Sequence, residues 1–378
     1  QEHNKFFRLR IASDPSKNIN KQLQVDKAKD CPSNWAHRRI VMPLKVMATM
    51  RAVDVKGGKG PASALFINDA IEKPTAKAGE VVVKMKAFGL NRADTLQRQG
   101  MYPVPPGVTK IMGLEFAGTV DEIGNDLSGS RGEDYKKGDE VFGLTYGGGY
   151  AEYVSVSKKM LLRKPKELSW EECAAVPEVW MTALQAIHLV GEWSPEKVKS
   201  ILWHAGASSV SIAGIQLSRN LSPAPKIYAT TRQDAKCDFV VNKIGATAAF
   251  NSTKSYPKAD GSPGGTWADE VKRANNGQGV DLVIDYVGAP YFADNLAVLA
   301  RDGRVVQLGV MGGTVLPEKT DISAFIMKRA SFVGSTLRSR DPNYQGRLRD
   351  LFAEQVLPKL ISGEYKPWIE KTLSTFAA

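Results

Sequence analysis

Cysteine and histidine are scarce in this chain of 378 residues, and the few present are scattered. The three cysteines, Cys31, Cys173 and Cys237, form no C-x-x-C pair. That spacing argues against a disulfide framework and a zinc knuckle, and it favours a reducing compartment. The four histidines show none of the spacings that bind zinc. No run of about 18 apolar residues exists either, so we expect a soluble protein with no membrane partner.

Acidic residues are fewer than basic ones, and the formal net charge is +11. The first 50 residues hold ten Lys or Arg and four Asp or Glu, a surplus of six that leaves five for the other 328 residues. The basic residues of those 328 are not interleaved with aromatics. This charge is therefore typical of a solvated basic surface, and we do not expect nucleic-acid binding.

Composition divides the chain into an extension and two domains. Residues 1–46 are polar and aperiodic, which predicts a disordered or loosely attached extension. Its four acids are not typical of a mitochondrial presequence, so a cytoplasmic location is expected. Short strands with glycines at their ends predict a small β-barrel-like domain over 47–172. Strands and helices alternate over 173–337, which predicts the doubly wound parallel α/β sheet that binds dinucleotides.

The first strand of that sheet leads into a candidate phosphate-binding turn. An apolar run at 201–203 is followed by Ala-Gly-Ala-Ser-Ser and then by helical spacing. The unpaired N–H groups at a helix start suit a pyrophosphate. We therefore take Gly206, Ser208, Ser209 and Val210 as cofactor-binding candidates. Only Gly206 matches the G-x-G-x-x-G pattern, and the alternative is an ordinary strand-helix turn.

The end of the second strand indicates which nicotinamide cofactor the sheet binds. An acid there binds the ribose 2′-hydroxyl of NAD, whereas a base receives the 2′-phosphate of NADP. Here the strand ends Thr230-Thr231-Arg232, Lys236 lies one helical turn further on, and Asp234 comes after the strand. The pattern favours NADPH, with Thr231, Arg232 and Lys236 as contacts. The alternative is that the two cations lie at an exposed helix start and bind no phosphate.

Six motifs in fixed order carry a resemblance to a known family. They are Asn91-Arg-Ala-Asp-Thr-Leu-Gln-Arg-Gln-Gly-Met-Tyr-Pro, Gly113-Leu-Glu-Phe-Ala-Gly, Pro177-Glu-Val-Trp-Met-Thr-Ala, His204-Ala-Gly-Ala-Ser, Met311-Gly-Gly and Gly334-Ser-Thr-Leu-Arg-Ser-Arg-Asp. Together they resemble the zinc-free quinone oxidoreductases of the zeta-crystallin type, in the medium-chain dehydrogenase/reductase superfamily. The resemblance implies a GroES-like catalytic domain, an inserted Rossmann domain that binds NADPH, and a homodimer.

The same resemblance implies the residues of the active site. Tyr102 would donate a proton or hydrogen bond, and Asn91 would hold the nicotinamide ribose or the acceptor oxygen. Thr182 would touch the carboxamide, and Ser252 takes the place of a tyrosine near the adenosine. The cofactor cleft would also be lined by Val310, Met311, Leu337 and Arg338. Alternatives stay open: Tyr102 packing beside a proline turn, Asn91 capping a loop, Thr182 as an ordinary helix residue, and Val310 and Leu337 as core.

Several departures from related zinc enzymes bear on the chemistry. Leu114 stands where they carry a metal-binding histidine, and no cysteine follows Pro177, so the resemblance implies no metal. A reductase without metal needs an acceptor that stabilises charge itself, such as a quinone or an activated enone. Ser209 and Ser211 replace family glycines, so we expect the pyrophosphate to lie further out or to be held by their hydroxyls. Residues 338–378 would return to the first domain without the family's closing helix and strand.

Two other functions remain open at this point. An enoyl or enone reductase shares the fold, the cofactor and the tyrosine. A non-catalytic NADPH-binding or RNA-binding protein is suggested by the altered turn and the basic N-terminal residues.

Overall fold

Three β-sheets organise the residues that this computed structural model describes, which are 48–125 and 134–374. The extension expected over residues 1–46 lies outside the described residues. Two of the sheets belong to the β-rich part of the chain and one to the alternating part. All three lie in the single compact unit that begins at Thr49.

The β-rich part forms a two-stranded and a five-stranded antiparallel sheet. The two-stranded sheet pairs β1 (Thr49–Val55) with β2 (Leu65–Glu72). The elements that follow are β3 (Glu80–Ala87), α1 (Arg92–Arg98), β4 (Glu115–Ile123), β5 (Glu140–Leu144), β6 (Tyr153–Ser157) and β7 (Leu161–Arg163). The five-stranded sheet has the order β6-β3-β4-β5-β7. The prediction of a GroES-like β-rich domain is confirmed.

Two helices connect this part to the alternating part. The sequence predicts a helix over 170–175 that Ser169 caps. In the structure α2 (Trp170–Ala175) has this cap, with the side chain of Ser169 accepting from the N–H of Glu172. The sequence predicts a helix over 180–189, but α3 (Pro177–Leu184) begins earlier, because proline fits the first turn of a helix. A π-helical turn over Gln185–Val190 ends it.

The alternating part forms a six-stranded parallel sheet with the order β10-β9-β8-β11-β12-β13. Its elements in chain order are β8 (Ser200–Trp203), α4 (Ser209–Arg219), β9 (Lys226–Thr231), α5 (Asp234–Phe239), β10 (Ala248–Asn251), α6 (Trp267–Ala274), β11 (Val280–Asp285), α7 (Phe292–Val298), β12 (Leu299–Gln307), α8 (Ala324–Met327) and β13 (Ser331–Gly334). This strand order confirms the predicted doubly wound domain. The order reverses between β8 and β11, where such sheets bind ligands at the carboxyl ends of their strands.

Three strands end earlier than their apolar patterns suggest. β11 ends at Asp285 because the carboxylate of this residue accepts the N–H of Val287 at 2.6 Å and turns the chain. The sequence predicts strands over 303–310 and 331–337. β12 starts and ends before the first of these ranges, and β13 stops at Gly334, before the end of the second. As a result, Met311 and Arg338 lie beyond their strands, at the carboxyl edge of the sheet.

Helix α4 packs on β8 through an aromatic ring and a glycine. A β-carbon at Gly214 would lie 2.1 Å from the indole of Trp203, so only glycine leaves room for that ring. The indole Nε1 donates to Oγ of Ser218 at 3.2 Å. The buried position of Trp203 agrees with its predicted strand, whereas the need for Gly214 was not predicted.

The last described elements pack back on the β-rich part. They are α9 (Pro342–Gln355) and α10 (Leu357–Ile361). Arg349 of α9 donates from Nη1 to the carbonyl of Leu161 in β7 at 3.1 Å. Phe352 meets Phe142 of β5 edge to face, with ring centres 6.4 Å apart. These contacts return the chain to the first sheet.

Candidate active site

The turn between β8 and α4 runs close against β9. A β-carbon at Gly206 would lie 2.8 Å from Cβ of Ala229, so a side chain there has no room. The preceding Ala205 has a φ of 46°, in the left-handed region that non-glycine residues rarely adopt. Such strain clusters at functional sites, because the surrounding structure must hold it. The predicted tight turn is therefore present, with bare backbone where a phosphate would approach.

The serines of this turn have different roles. Ser208 caps α4, with its oxygen accepting from the N–H of Ser211 at 3.4 Å. Ser211 is fully buried and donates its hydroxyl to the carbonyl of His204 at 2.8 Å. The expectation that the hydroxyl of Ser211 holds the pyrophosphate is therefore wrong. Ser209 is exposed and Val210 half-buried at the helix start, beside the first N–H groups.

A buried polar chain fixes the strand ends behind the turn. Nδ1 of His204 lies 2.8 Å from Oγ1 of Thr230, and its Nε2 lies 2.7 Å from Oδ1 of Asn295. Nδ2 of Asn295 donates to Asp285 at 2.9 Å. An amide oxygen only accepts, which assigns the proton to Nε2 and makes Thr230 the donor to Nδ1. Burial lowers the pKa of His204, which keeps the ring neutral. Sequence reasoning used His204 only as part of a motif.

At the end of β9, two of the residues predicted to contact the cofactor form hydrogen bonds within the fold. Thr231 is buried and donates its hydroxyl to the carbonyl of Gln233 at 2.8 Å. Ser252 donates its hydroxyl to the carbonyl of Thr231 at 3.0 Å. Arg232 and Lys236 are exposed. Neither forms an ion pair with any carboxylate among the described residues.

Asp234, the first acid after β9 in the sequence, already has partners. Asp234 accepts from Nζ of Lys254 at 2.9 Å and from Nδ2 of Asn251 at 3.0 Å. The ammonium of Lys254 holds the pKa of this carboxyl below its usual value. Asp234 is therefore bonded to Asn251 of β10 and to Lys254, which follows that strand. Arg232 and Lys236 remain exposed cations at the end of β9 with no ion-pair partner among the described residues.

Residues at the ends of β12 and β13 and just after them line a cavity of about 540 Å³. Among its lining residues are Leu308, Val310 and Arg340. Val310 and Met311 are 48% and 52% exposed, so the interpretation of Val310 as core is wrong. Leu337 is 5% exposed and packs into the core, as its alternative interpretation held.

Arg338 joins the end of the parallel sheet to the β-rich part. It is 4% exposed and donates from Nε to the carbonyl of Tyr146 and from Nη1 to Oε1 of Gln97, each at 2.7 Å. Its guanidinium carbon lies 5.5 Å from the centre of the Tyr102 ring. Burial raises the pKa of Tyr102, so its hydroxyl stays protonated at neutral pH. The structure thus brings Tyr102 and Arg338 together.

Asn91 stands at the start of α1 and binds a buried acid. Its backbone N–H donates to Asp94 at 2.9 Å, and its Nδ2 donates to Oε1 of Glu115 at 2.7 Å. The other oxygen of Glu115 accepts the backbone N–H of Glu178 at 2.8 Å. A β-carbon at Gly89 would lie 2.0 Å from Oε1 of Glu115, so glycine is required beside this acid. Asn91 therefore caps the start of α1, as its loop-capping alternative held.

Two further carboxyl groups complete this cluster. Asp94 accepts from the N–H of Gly113 at 2.9 Å and from the hydroxyl of Tyr150 at 2.8 Å. Glu178 lies in the first turn of α3, with part of its surface open to solvent. Burial raises the pKa of Glu115 to about 7 and, together with Glu115, that of Glu178 to about 8. Both acids stand inside quoted motifs, and sequence reasoning gave neither a role.

Comparison with known proteins identifies the family. The model of the alcohol dehydrogenase GroES-like domain matches residues 77–166, and that of the zinc-binding dehydrogenase matches residues 209–354. Quinone oxidoreductase-like protein 2 of Mus musculus is 31% identical over 270 residues, which cover 71% of each chain. The chain belongs to the quinone oxidoreductase family of the medium-chain dehydrogenase/reductase superfamily. The quinone oxidoreductase of Homo sapiens is 28% identical over 291 residues, 77% of this chain and 81% of that protein.

Solved structures show the same fold. The Escherichia coli quinone oxidoreductase complexed with NADPH aligns with a TM-score of 0.68 and 22% identity, over 85% of this chain and 90% of that one. The CurK enoyl reductase aligns with a TM-score of 0.67 and 23% identity, over 85% of this chain and 91% of that one.

The residues of this quinone oxidoreductase family member fit a nicotinamide dinucleotide. Gly206 leaves bare backbone where a β-carbon would fill the space. The start of the 11-residue helix α4 adds unpaired N–H groups and the positive end of its dipole. Arg232 follows β9 as a cation without an anionic partner among the described side chains.

The described part of this oxidoreductase has neither a cluster of metal ligands nor a membrane-spanning helix. No three or more His, Cys, Asp or Glu side chains within 48–125 and 134–374 are arranged to hold a metal ion. Leu114, which stands where related zinc enzymes have a histidine, is 1% exposed. No helix in the same ranges combines the length and the apolar character needed to cross a membrane.

Proposed function

We propose that this protein is an NADPH-dependent quinone oxidoreductase that reduces a small quinone or an activated enone without a metal. The choice of NADPH rests on the charged residues at the end of β9. Arg232 and Lys236 are exposed there, and the nearby Asp234 is held by Lys254 and Asn251. A free acid at this place would favour the ribose hydroxyl of NAD, whereas unpaired cations favour the 2′-phosphate of NADP.

The protein's own residues would hold the cofactor from one end of the crevice to the other. Arg232, Lys236, Thr231 and Ser252 would face the adenosine end, and Gly206, Ser208, Ser209 and Val210 the pyrophosphate. The nicotinamide end would be bounded by Thr182, Val310, Met311, Arg338 and Asn91, whereas Leu337 packs in the core. Bound NADPH supplies a hydride to the acceptor.

The groups near Tyr102 would serve the acceptor. Tyr102 keeps its proton at neutral pH because burial raises its pKa, so it acts as a hydrogen-bond or proton donor. Arg338 lies under its ring and fixes its place. Asn91, anchored on Glu115, would hold the ribose or the acceptor oxygen at the cleft.

We further propose the domain limits 47–172, 173–337 and 338–378, with the last segment returning to the first domain. The five-stranded and six-stranded sheets fall on either side of residue 173. The contact of Arg349 with Leu161 supports the return. Both cysteines in the described part are buried free thiols, which suits a reducing compartment such as the cytoplasm.

A homodimer is part of the same proposal. β13 is the outermost strand of the six-stranded sheet among the described residues. In α8, just before this strand in the chain, Ile326 and Met327 are 84% and 71% exposed. Exposed apolar residues beside a strand edge mark a protein interface, and a second copy of the chain is the occupant we propose.

The experiment that tests the function measures NADPH oxidation with a panel of quinones and enones, repeated with NADH. We expect turnover with NADPH and small quinones. Preferred turnover of crotonyl-type thioesters would make the protein an enoyl reductase. Cofactor binding without oxidation by any acceptor, or salt-sensitive binding of RNA, would make it a binding protein instead.

A further inference from the structure

The cavity at the ends of β12 and β13 has a single charged side chain in its wall. Two stretches of the chain, within 307–310 and 334–340, line its volume of about 540 Å³. Arg340 is the charged residue, and none of the described residues that line the cavity is an aspartate or a glutamate. Sites for small molecules have volumes of about 300 to 1,000 Å³, so the cavity can hold a ligand.

Arg340 is held in place through both its backbone and its side chain. Its carbonyl accepts the hydroxyl of Tyr146 at 2.7 Å, and its guanidinium carbon lies 4.6 Å from the centre of the Tyr344 ring. Its Nε donates to the carbonyl of Thr336 at 3.3 Å, and its Nη2 donates to Oγ of Ser335 at 3.4 Å. These partners orient the guanidinium but carry no charge that would compensate it.

No carboxylate in the described part of the chain pairs with Arg340. The next residue, Asp341, caps α9 instead. Its Oδ1 accepts the backbone N–H of Asn343 at 2.8 Å and that of Tyr344 at 3.1 Å. The positive charge of Arg340 is therefore left for an anion that enters the cavity.

A buried hydroxyl adds a second donor beside this guanidinium. Ser335 lines the same cavity and is 9% exposed. Its oxygen accepts from Nε2 of the buried Gln185 at 2.8 Å as well as from Arg340. A hydroxyl has two acceptor sites and one proton, so both acceptor sites are filled and the proton remains to be donated. Among the described residues, no acceptor takes it.

The cavity also offers apolar contacts. Leu308 and Val310 line it together with Arg340 and Ser335. Val310 bounds the nicotinamide end in the proposed arrangement, so the cavity adjoins the place of hydride transfer. A planar acceptor ring fits against the apolar residues while a polar substituent meets the two donors.

We infer that the candidate active site selects acceptors that carry an anionic group, a carboxylate or a sulfonate, and that Arg340 and Ser335 bind this group. The inference rests on the proposed function and names the class of acceptor. The planar fork of a guanidinium matches two oxygens of such an anion, and the hydroxyl of Ser335 donates to one of them. The quinone or enone ring lies against Leu308 and Val310.

The first test compares two acceptors that differ in charge, 1,2-naphthoquinone and 1,2-naphthoquinone-4-sulfonate. The measured quantity is kcat/KM for the sulfonated acceptor divided by kcat/KM for the neutral one, with saturating NADPH. Arg340→Gln should lower this ratio about tenfold or more, because it removes a hydrogen bond between charged groups. Arg340→Lys, which keeps the charge but loses the planar fork, should recover part of the ratio.

Arg347→Gln is the matched control for these variants. The guanidinium carbon of Arg347 lies 5.7 Å from the centre of the same Tyr344 ring, but this arginine is exposed and does not line the cavity. We expect the wild-type ratio in Arg347→Gln. An unchanged ratio in Arg340→Gln, or an equal fall in both variants, would overturn the inference.

The second test measures binding without turnover. Naphthalene-2-sulfonate, which has no carbonyl to reduce, is titrated by calorimetry into wild-type protein and into Arg340→Gln. Its Kd should rise about tenfold or more in the variant, and the Kd for NADPH should rise much less. An unchanged Kd for naphthalene-2-sulfonate would contradict the assignment. An equal rise for NADPH would also do so, because it would show that Arg340 binds the cofactor.

The proposed function and the acceptor class fail in different ways. Wild-type protein that reduces quinones with the same ratio as Arg340→Gln would refute the selectivity for anions and leave the quinone reductase in place. Wild-type protein that reduces no quinone would refute the proposed function. The titration with naphthalene-2-sulfonate would still decide whether Arg340 binds an anion.

Discussion

The guanidinium carbon of Arg338 lies 5.5 Å from the centre of the Tyr102 ring. The contact joins the residues after β13 to the loop after α1 in the β-rich part. Arg338 is almost fully buried, and its Nη2 has no hydrogen-bond partner among the described residues. The aromatic face compensates part of the cost of burying that cation.

Tyr102→Phe tests the hydroxyl and keeps the ring over Arg338. We expect kcat to fall about tenfold or more, because a hydrogen-bond or proton donor is lost from the acceptor. Affinity for NADPH, measured by fluorescence titration, should change little, since the ring remains in place. An unchanged kcat would rule out a chemical role for the hydroxyl.

Arg232→Ala tests the cofactor preference. Removing the cation should weaken NADPH by about tenfold or more and NADH much less, because only NADPH carries the 2′-phosphate. Arg301→Ala removes another exposed arginine and is the matched control, with no expected effect on either cofactor. Equal losses for NADPH and NADH in Arg232→Ala would remove the argument for NADPH.

The buried acids predict how stability depends on pH. The pKa values of Glu115 and Glu178 rise on folding from 4.5 to about 7 and about 8, so the folded state binds more protons in that window. The free energy of unfolding should therefore fall as pH rises from about 4.5 to about 8, since each unit of pKa shift corresponds to about 1.4 kcal/mol. Urea unfolding across this range measures the slope.

Variants identify the source of that slope. Glu178→Gln should reduce the slope to the part that Glu115 contributes, and the exposed Glu171→Gln should leave the slope unchanged. A slope of opposite sign, or one unchanged in Glu178→Gln, would show that Glu178 is charged in the folded protein.

Gly214→Ala tests the packing of α4 on β8. The added β-carbon would lie 2.1 Å from the rigid indole of Trp203, and overpacking of this kind costs about 1 to 3 kcal/mol. We expect a lower Tm by calorimetry. Gly346→Ala in α9 is the matched control, because its β-carbon would meet Lys159 at an ordinary 3.5 Å and improve helix propensity. A Tm for Gly214→Ala as high as that of the control would contradict the packing.

Ile326→Lys tests the proposed dimer. A charge at this 84% exposed position should disfavour association and shift the sedimentation coefficient to that of a monomer. Ile67→Lys, at a 46% exposed position in β2, should leave association unchanged. A monomeric wild-type protein would remove the dimer from the proposal.

The six-stranded sheet was predictable because its signals are local. Alternating apolar runs predicted β8 to β13, and the cap at Ser169 predicted α2. Strand ends were less predictable, since they depend on contacts such as the one between Asp285 and the N–H of Val287. The position of Arg232 at the end of β9 was also predictable, because sequence order alone places it directly after that strand.

The acid cluster was not predictable, because distant segments form it. Glu115 and Glu178 are 63 residues apart, and His204 and Asn295 are 91 residues apart. Their pKa shifts arise from burial, which no local pattern shows. The serines at 208 to 211 looked equivalent in sequence, and only the fold separates the buried Ser211 from the exposed Ser209.

Calorimetric titration of the protein with NADPH and with NADH tests the central claim, that a nicotinamide dinucleotide binds over the turn after β8. We predict saturable heat for NADPH with one site per chain, and weaker binding of NADH by about tenfold or more. Absence of heat with both nucleotides would contradict the account.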